Sequence, residues 1–285
     1  NLVRDQLALV HALGRSQVHA VIGHDFGSPL AAWCALVRPD VFRAVVLMSA
    51  PFASPPGWAA GAIAPPEVLD TQLAALPTPR RHYQHHYATR EAEGEMLHAP
   101  QGLHDFLRAY YHVKSADWPH NAPRPLPAMT GEALAALPRY YVMDRGRGMA
   151  ETVAPELPTR EQVTANRWLP DDELAVYAAE FARTGLQGGL QWYRSAIDPA
   201  HRAQLRLFSG RRIEVPACFI AGRQDWGVFQ VPGAYEAMQA RALADLRGCH
   251  RVDGAGHWVQ QEQPQAVVAA LLGFLQTLGT QAFNR

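Results

Sequence analysis

Lysine is almost missing from this sequence: Lys114 is the only one among 26 basic residues, and the rest are arginine. Schiff-base chemistry therefore has a single candidate amine. Cysteine is scarce as well. Cys34, Cys218 and Cys249 are an odd set without metal-ligand spacing, and Cys34 and Cys218 fall in apolar segments. They read as reduced, buried thiols of a cytosolic protein, which excludes a disulfide framework and a cysteine metal site. Net charge is absent too, with 26 acidic residues against 26 basic. No global field then favours nucleic acid, an anionic membrane or a strongly charged substrate. No apolar run approaches the roughly 20 residues of a spanning helix, and the first residues do not form a signal peptide. The expectation is a cytoplasmic protein without nucleic-acid or membrane partners, with self-association left open.

What is present is apolar material for a core, 48% of 285 residues, enough for one large domain or a core carrying an inserted lid. Leu2 to Leu13 has helical apolar spacing and stops at Gly14. Val18 to Ile22 reads as a short strand. Gly23-His24-Asp25-Phe26-Gly27 follows, then a helix from about Ser28 to Val37 closed by Pro39. Ala44 to Ser49 is a second strand, apolar without alternation, as in a parallel sheet covered on both faces. From residue 53 to 205 the chain turns to Pro-rich turns and amphipathic stretches with no strand-helix alternation, and it reads as a helical cap. Its Trp118 to Pro127 stretch, with four prolines, reads as an ordered loop. Strands resume at Ala217 to Ala221 and Leu246 to Val252, with a helix near Ala234 to Ala244 between them and a last helix from Pro264. The expected fold is therefore α/β, with a split core at 1–52 and 206–285 around a cap at 53–205.

A strand, a sharp glycine-flanked turn and a helix present the residue at the tip to a substrate. Here the tip is Asp25. A carboxylate is ionised at neutral pH and attacks carbon without a base to activate it, which suits displacement at an sp³ carbon. Cleaving the resulting ester requires a histidine and an acid that orients it. Asp225, in the loop after Ala217 to Ala221, and His257, after the last strand, occupy carboxyl ends of parallel strands, where such sites assemble. The second strand ends in Ser49-Ala50-Pro51 and offers no rival carboxylate. Ordinary alternatives exist for each: Asp25 as a turn residue, Asp225 as a helix cap, His257 as a loop histidine. The joint order of nucleophile, acid and base favours the triad. His82, His85 and His86 have helical spacing but no evident fourth ligand, and they read as a solvated lid face rather than a metal site. Ser28 lies off the apex of the turn.

With these residues the chain resembles the epoxide hydrolase branch of the α/β-hydrolase family over nearly its whole length. Tyr83-Gln84 and Trp192-Tyr193-Arg194 match the settings of that branch's two cap tyrosines. The resemblance implies that Tyr83 and Tyr193 hold the epoxide oxygen, a role that suits phenols because the opening ring releases a strongly basic alkoxide. It implies Phe26 as an oxyanion donor through its backbone N–H, a small apolar or amphipathic epoxide as substrate, and no cofactor. It also implies core strands and a glycine-containing oxyanion loop ahead of the opening helix, so the chain is read as N-terminally incomplete. Dehalogenation is the rival enzyme reading. Phe26 lacks the indole donor that many dehalogenases place after the nucleophile, although Trp192 or Trp226 can stand in for it. A catalytically silent protein that binds a small apolar ligand is the third reading.

Overall fold

A computed structural model describes residues 1–57 and 66–279. Among the described residues six strands are formed: β1 (Val21–His24), β2 (Val45–Met48), β3 (Arg80–His82), β4 (Val142–Asp144), β5 (Ile213–Gly222) and β6 (Leu243–Val252). The chain divides into two compact units, one of Asn1–Pro56, Pro123–Pro125 and Phe208–Arg285, the other of Gly57–Ala122 and Leu126–Leu207. Among the described residues no helix is long and apolar enough to cross a membrane.

In the first unit β1, β2, β5 and β6 form a parallel sheet in that order. Every residue of β2 is buried, as its unbroken Val-Val-Leu-Met sequence requires of a strand flanked on both sides and covered on both faces. Period-two alternation divides its side chains. Val45 and Leu47 pack with Ala31, Ala32 and Ala35 of the helix α2 (Gly27–Val37), while Val46 and Met48 pack with Val267 and Phe274 of the helix Pro264–Gln276. The sheet thus has helices on both faces. The opening helix α1 (Leu2–Ala12) adds Val10 to a smaller cluster with Cys34, Val41 and Phe42.

Two core expectations are corrected. The first strand starts later than Val18, which makes only an isolated bridge with Phe42. β1 forms one edge of the described sheet, where Ile22 is 47% exposed. The expected helix from Ala234 to Ala244 is one α turn, Ala234–Ala237, followed by a π turn over Met238–Ala242, and Leu243 already belongs to β6.

The second unit is mostly short helices. The Trp118 to Pro127 stretch, whose Pro123–Pro125 belong to the first unit, has neither helix nor strand, as expected. The cap was expected to lack strands, yet β3 and β4 pair antiparallel, Arg80 opposite Asp144 and His82 opposite Val142. An ion pair between Arg80 and Asp144, 3.2 Å, fastens the same register.

The turn after β1 rests on one glycine. A Cβ at Gly23 would lie 1.9 Å from the Gly27 carbonyl oxygen, whereas one at Gly27 would meet nothing within 4 Å. The close approach is therefore of the Gly27 backbone onto Gly23. Gly23→Ala is expected to cost more than about 3 kcal/mol of stability in urea unfolding. Gly27→Ala is expected to stay within about 1 kcal/mol of the unchanged protein.

Candidate active site

Asp25 sits where β1 turns into α2, with φ +55°. An L residue adopts that left-handed conformation at a cost, and Asp and Asn tolerate it best among side-chain-bearing residues. Its N–H donates to the Met48 carbonyl, 3.2 Å, and its carbonyl accepts from the Ser28 N–H, 3.0 Å. These bonds tie the turn to β2 and to α2. The Asp25 side chain is one-third exposed, and its Oδ1 lies 3.3 Å from Nε2 of His257.

His257 follows β6 in a loop fixed from outside. The Glu262 carboxylate accepts the N–H groups of Gly256 and Trp258, each at 3.0 Å, so it grips the loop on both sides of the histidine. Gly222, the last residue of β5, is required here, because a Cβ on it would come within 2.0 Å of the Gly256 carbonyl oxygen. Asp225 caps the turn Trp226–Val228 by accepting the Gly227 N–H at 2.7 Å. The same Oδ1 faces Nδ1 of His257 at 3.2 Å. Both side chains are buried, with Asp225 1% exposed and His257 2%. Burial pushes the Asp225 carboxyl upward. The neighbouring His257 and hydrogen bonds from His257, Ser49 and Gly227 outweigh it and hold the group below its ordinary value. Asp225 is thus a buried carboxylate compensated by an imidazole and by donors.

Tyr83 opens the short helix Tyr83–Tyr87, and Tyr193 lies in the helix Gln187–Ile197. Their rings meet edge to face with centroids 5.7 Å apart, a favoured aromatic geometry. The motif residues around them explain the placement. Arg194 donates to the Ala88 and Thr89 carbonyls and to Gln187, which ties one helix to the end of the other. Glu93 accepts the N–H groups of Leu186 and Gln187 and so serves the N-terminus of the Tyr193 helix. Tyr87 stands 5.4 Å from Tyr83 and 5.0 Å from Tyr193, ring to ring. Burial, first, and neighbouring tyrosines push its phenol well above the ordinary value, so it stays protonated.

A family model for the alpha/beta hydrolase fold matches residues 1–90. Epoxide hydrolase B of Mycobacterium tuberculosis is 29% identical over 284 residues, covering 96% of this chain and 76% of the relative. Epoxide hydrolase A of the same organism is 43% identical over 111 residues, 38% of this chain and 32% of that one. The solved epoxide hydrolase from an endophytic Streptomyces has a TM-score of 0.76 and 30% identity, covering 97% of this chain and 73% of its own. This chain belongs to the α/β-hydrolase family, on its epoxide hydrolase branch. The epoxide hydrolase A structure from Mycobacterium thermoresistibile is also similar, with a TM-score of 0.72 and 28% identity.

In this α/β-hydrolase the structure brings Asp25, Asp225 and His257 together in the first unit and Tyr83 and Tyr193 together in the second. Phe26 directly precedes α2 and is 41% exposed. Trp192 is half-buried on the Tyr193 helix. Trp226 is 3% exposed, and its indole N–H has no hydrogen-bond partner among the described residues. The Ser28 hydroxyl is occupied, donating to the Ala50 carbonyl at 2.6 Å. The three cap histidines are not a uniformly solvated face. His86 is buried with Nε2 2.8 Å from Glu95, His82 accepts the Gln84 N–H, and His85 lies 3.7 Å from Asp70. Among the described residues no three His, Cys, Asp or Glu side chains gather as a metal-binding group.

Three side chains at the triad escaped the sequence reading. Glu262 was detectable as a carboxylate a few residues after a Gly-rich loop, where it ends the short helix Val259–Glu262. His24 donates from Nε2 to the His257 carbonyl, 2.7 Å. Burial, then the neighbouring His257, lowers it to about 4, so it stays neutral above that pH. Ser49, fully buried with φ +70°, places its hydroxyl 3.0 Å from Nδ1 of His257. No local sequence signal marks it.

Proposed function

We propose that this chain hydrolyses epoxides to vicinal diols through an alkyl ester on Asp25. The observation that supports the reading most is a carboxylate at a strained strand-to-helix turn, 3.3 Å from a histidine backed by a buried carboxylate. A serine there would need the histidine to activate it, whereas an aspartate needs it only for the second step. In this reading residues 1–52 and 206–285 supply the triad and residues 53–205 the cap.

One oxygen of Asp25 attacks an epoxide carbon, and that carbon's bond to the ring oxygen breaks. Tyr83 and Tyr193 donate hydrogen bonds to the oxygen as it gains charge, and one phenol passes its proton to it, which leaves a hydroxyl on the neighbouring carbon of the ester. His257, with Nδ1 held by Asp225, then takes a proton from water at Nε2, and the water attacks the ester carbonyl. The acyl carbon–oxygen bond breaks, one of the two water protons passes by way of His257 to the leaving oxygen and the other restores the phenol, the diol departs, and Asp25 is regenerated with one oxygen from water. The Phe26 N–H is the candidate donor to the tetrahedral oxyanion. No step uses a cofactor.

A single turnover of styrene oxide in ¹⁸O-water is therefore expected to label Asp25 and leave the first diol unlabelled. Label appearing directly in that diol would rule out the ester. A second reading, dehalogenation through the same carboxylate, draws on the buried Trp226 N–H, since halide needs an N–H donor and no proton. Halide release from haloalkanes or haloacids, compared with diol formation from styrene oxide, separates the two.

A further inference from the structure

We propose that Ser49 is a positioning residue of this site, whose hydroxyl holds the His257–Asp225 pair in the arrangement that makes Nε2 of His257 the proton acceptor. The inference rests on the reading just given. Its starting point is a mismatch of donors and acceptors around Nδ1. When Nε2 serves as base, Nδ1 carries the single ring proton. Two oxygens face it, Ser49 Oγ at 3.0 Å and Asp225 Oδ1 at 3.2 Å. On the carboxylate side Oδ1 also takes the Gly227 N–H, while Oδ2 is buried and has no hydrogen bond of ordinary geometry.

The Ser49 hydroxyl can serve both groups, accepting from Nδ1–H while its own proton turns to the carboxylate. The space in front of Gly227 shows how closely they share the site. A Cβ there would lie 2.6 Å from Ser49 Oγ and 2.9 Å from Asp225 Oδ1. The backbone also bears on the point. Ser49 directly follows β2 at φ +70° without being glycine, and its N–H is held by the Ile220 carbonyl at 3.0 Å. That left-handed turn is strained for a residue that carries a Cβ. Such strain is kept where the surroundings hold a side chain in a functional position.

The groups facing the His257 imidazole are His24 and Asp25 from the turn after β1 and Asp225 from the loop after β5, with Glu262 acting through the backbone of the His257 loop. Without the hydroxyl, the buried Asp225 carboxylate loses a donor and depends more heavily on the imidazole. The imidazolium is then favoured, and the base form is lost at a higher pH as acid is added.

The test compares Ser49→Ala and Ser49→Gly in single turnovers from about pH 5 to about pH 9, with the ester followed by intact-protein mass. In both variants the ester should form at the unchanged protein's rate and be hydrolysed about tenfold more slowly near neutral pH. The acid limb of hydrolysis should move to higher pH. Glycine also relieves the backbone, so hydrolysis that fails in Ser49→Ala but is normal in Ser49→Gly would overturn the proposal. So would equal slowing of both steps on an unmoved pH profile, or no change at all. A substrate-free NMR titration of the His257 ring separates this inference from the function it rests on. An upward move in Ser49→Ala supports Ser49 even if the unchanged protein forms no ester. An unmoved titration in a protein that does form the ester refutes Ser49 alone.

Discussion

Asp25→Asn is expected to abolish ester formation and to lower diol production from styrene oxide by at least about 10⁴-fold, on the order of 5.5 kcal/mol of barrier. The substitution is chosen to spare the fold. Asparagine has the same shape and is the other residue that tolerates a left-handed turn, so the φ of +55° at this position adds little new cost. The backbone bonds to Met48 and Ser28 do not involve the side chain. What disappears is the anion. A neutral amide oxygen does not displace at an sp³ carbon, and neither His257 nor Asp225 can substitute, since both are buried and turned toward each other. Initial rates of diol formation, with thermal unfolding as a control for folding, provide the measurement. An Asn variant that binds epoxides and leaves the rate at the level of the unchanged protein would mean that the site only holds a ligand.

The parts of this site that were legible in the sequence are those fixed by local pattern. A β-branched apolar run, a glycine turn and an Ala-rich helix specify a strand–turn–helix unit without reference to the rest of the chain. The residue at its tip is then exposed by geometry. The two partners were legible because parallel strands deliver their following loops to the same end of the sheet. The parts that were not legible depend on distant pairing. The start of β5, Ile213-Glu214-Val215-Pro216, carries a charge and a proline and does not look like a strand. It becomes one against Leu243 and Asp245, with a register shift that accommodates the proline. Arg80-Arg81-His82 has no strand character at all, and only the partner strand about 60 residues later gives it one. The burial of His86 likewise depends on Glu95, nine residues on. Ser49 shows the limit most clearly. Its sequence context marked the end of a strand and the lack of a carboxylate. Its proximity to His257 comes from a separation of 208 residues that no local pattern encodes.

His257→Gln should separate the two halves of the reaction, with turnover falling by roughly 10³- to 10⁵-fold and about one substrate mass accumulating on the protein. Only the second step needs a base. Asp25 needs none, so epoxide opening survives. Glutamine is close to histidine in reach and can still offer an N–H to Asp225 and Ser49, which keeps the buried carboxylate partnered. It cannot take a proton from water, and the ester therefore waits for unactivated attack. His24 is the other imidazole near the ester, 4.9 Å from His257 ring to ring, but its Nε2–H is committed to the His257 carbonyl. Burial, with His257 beside it, keeps it neutral down to about pH 4. A loss of ester hydrolysis in the unchanged protein at pH values well above about 4 is then not a titration of His24, and it should be absent from the residual rate of His257→Gln. Intact-protein mass spectrometry at fixed times, followed by mapping of the adduct to the peptide that holds Asp25, makes the measurement. Steady diol formation by this variant, with no adduct at any time, would remove His257 from the mechanism.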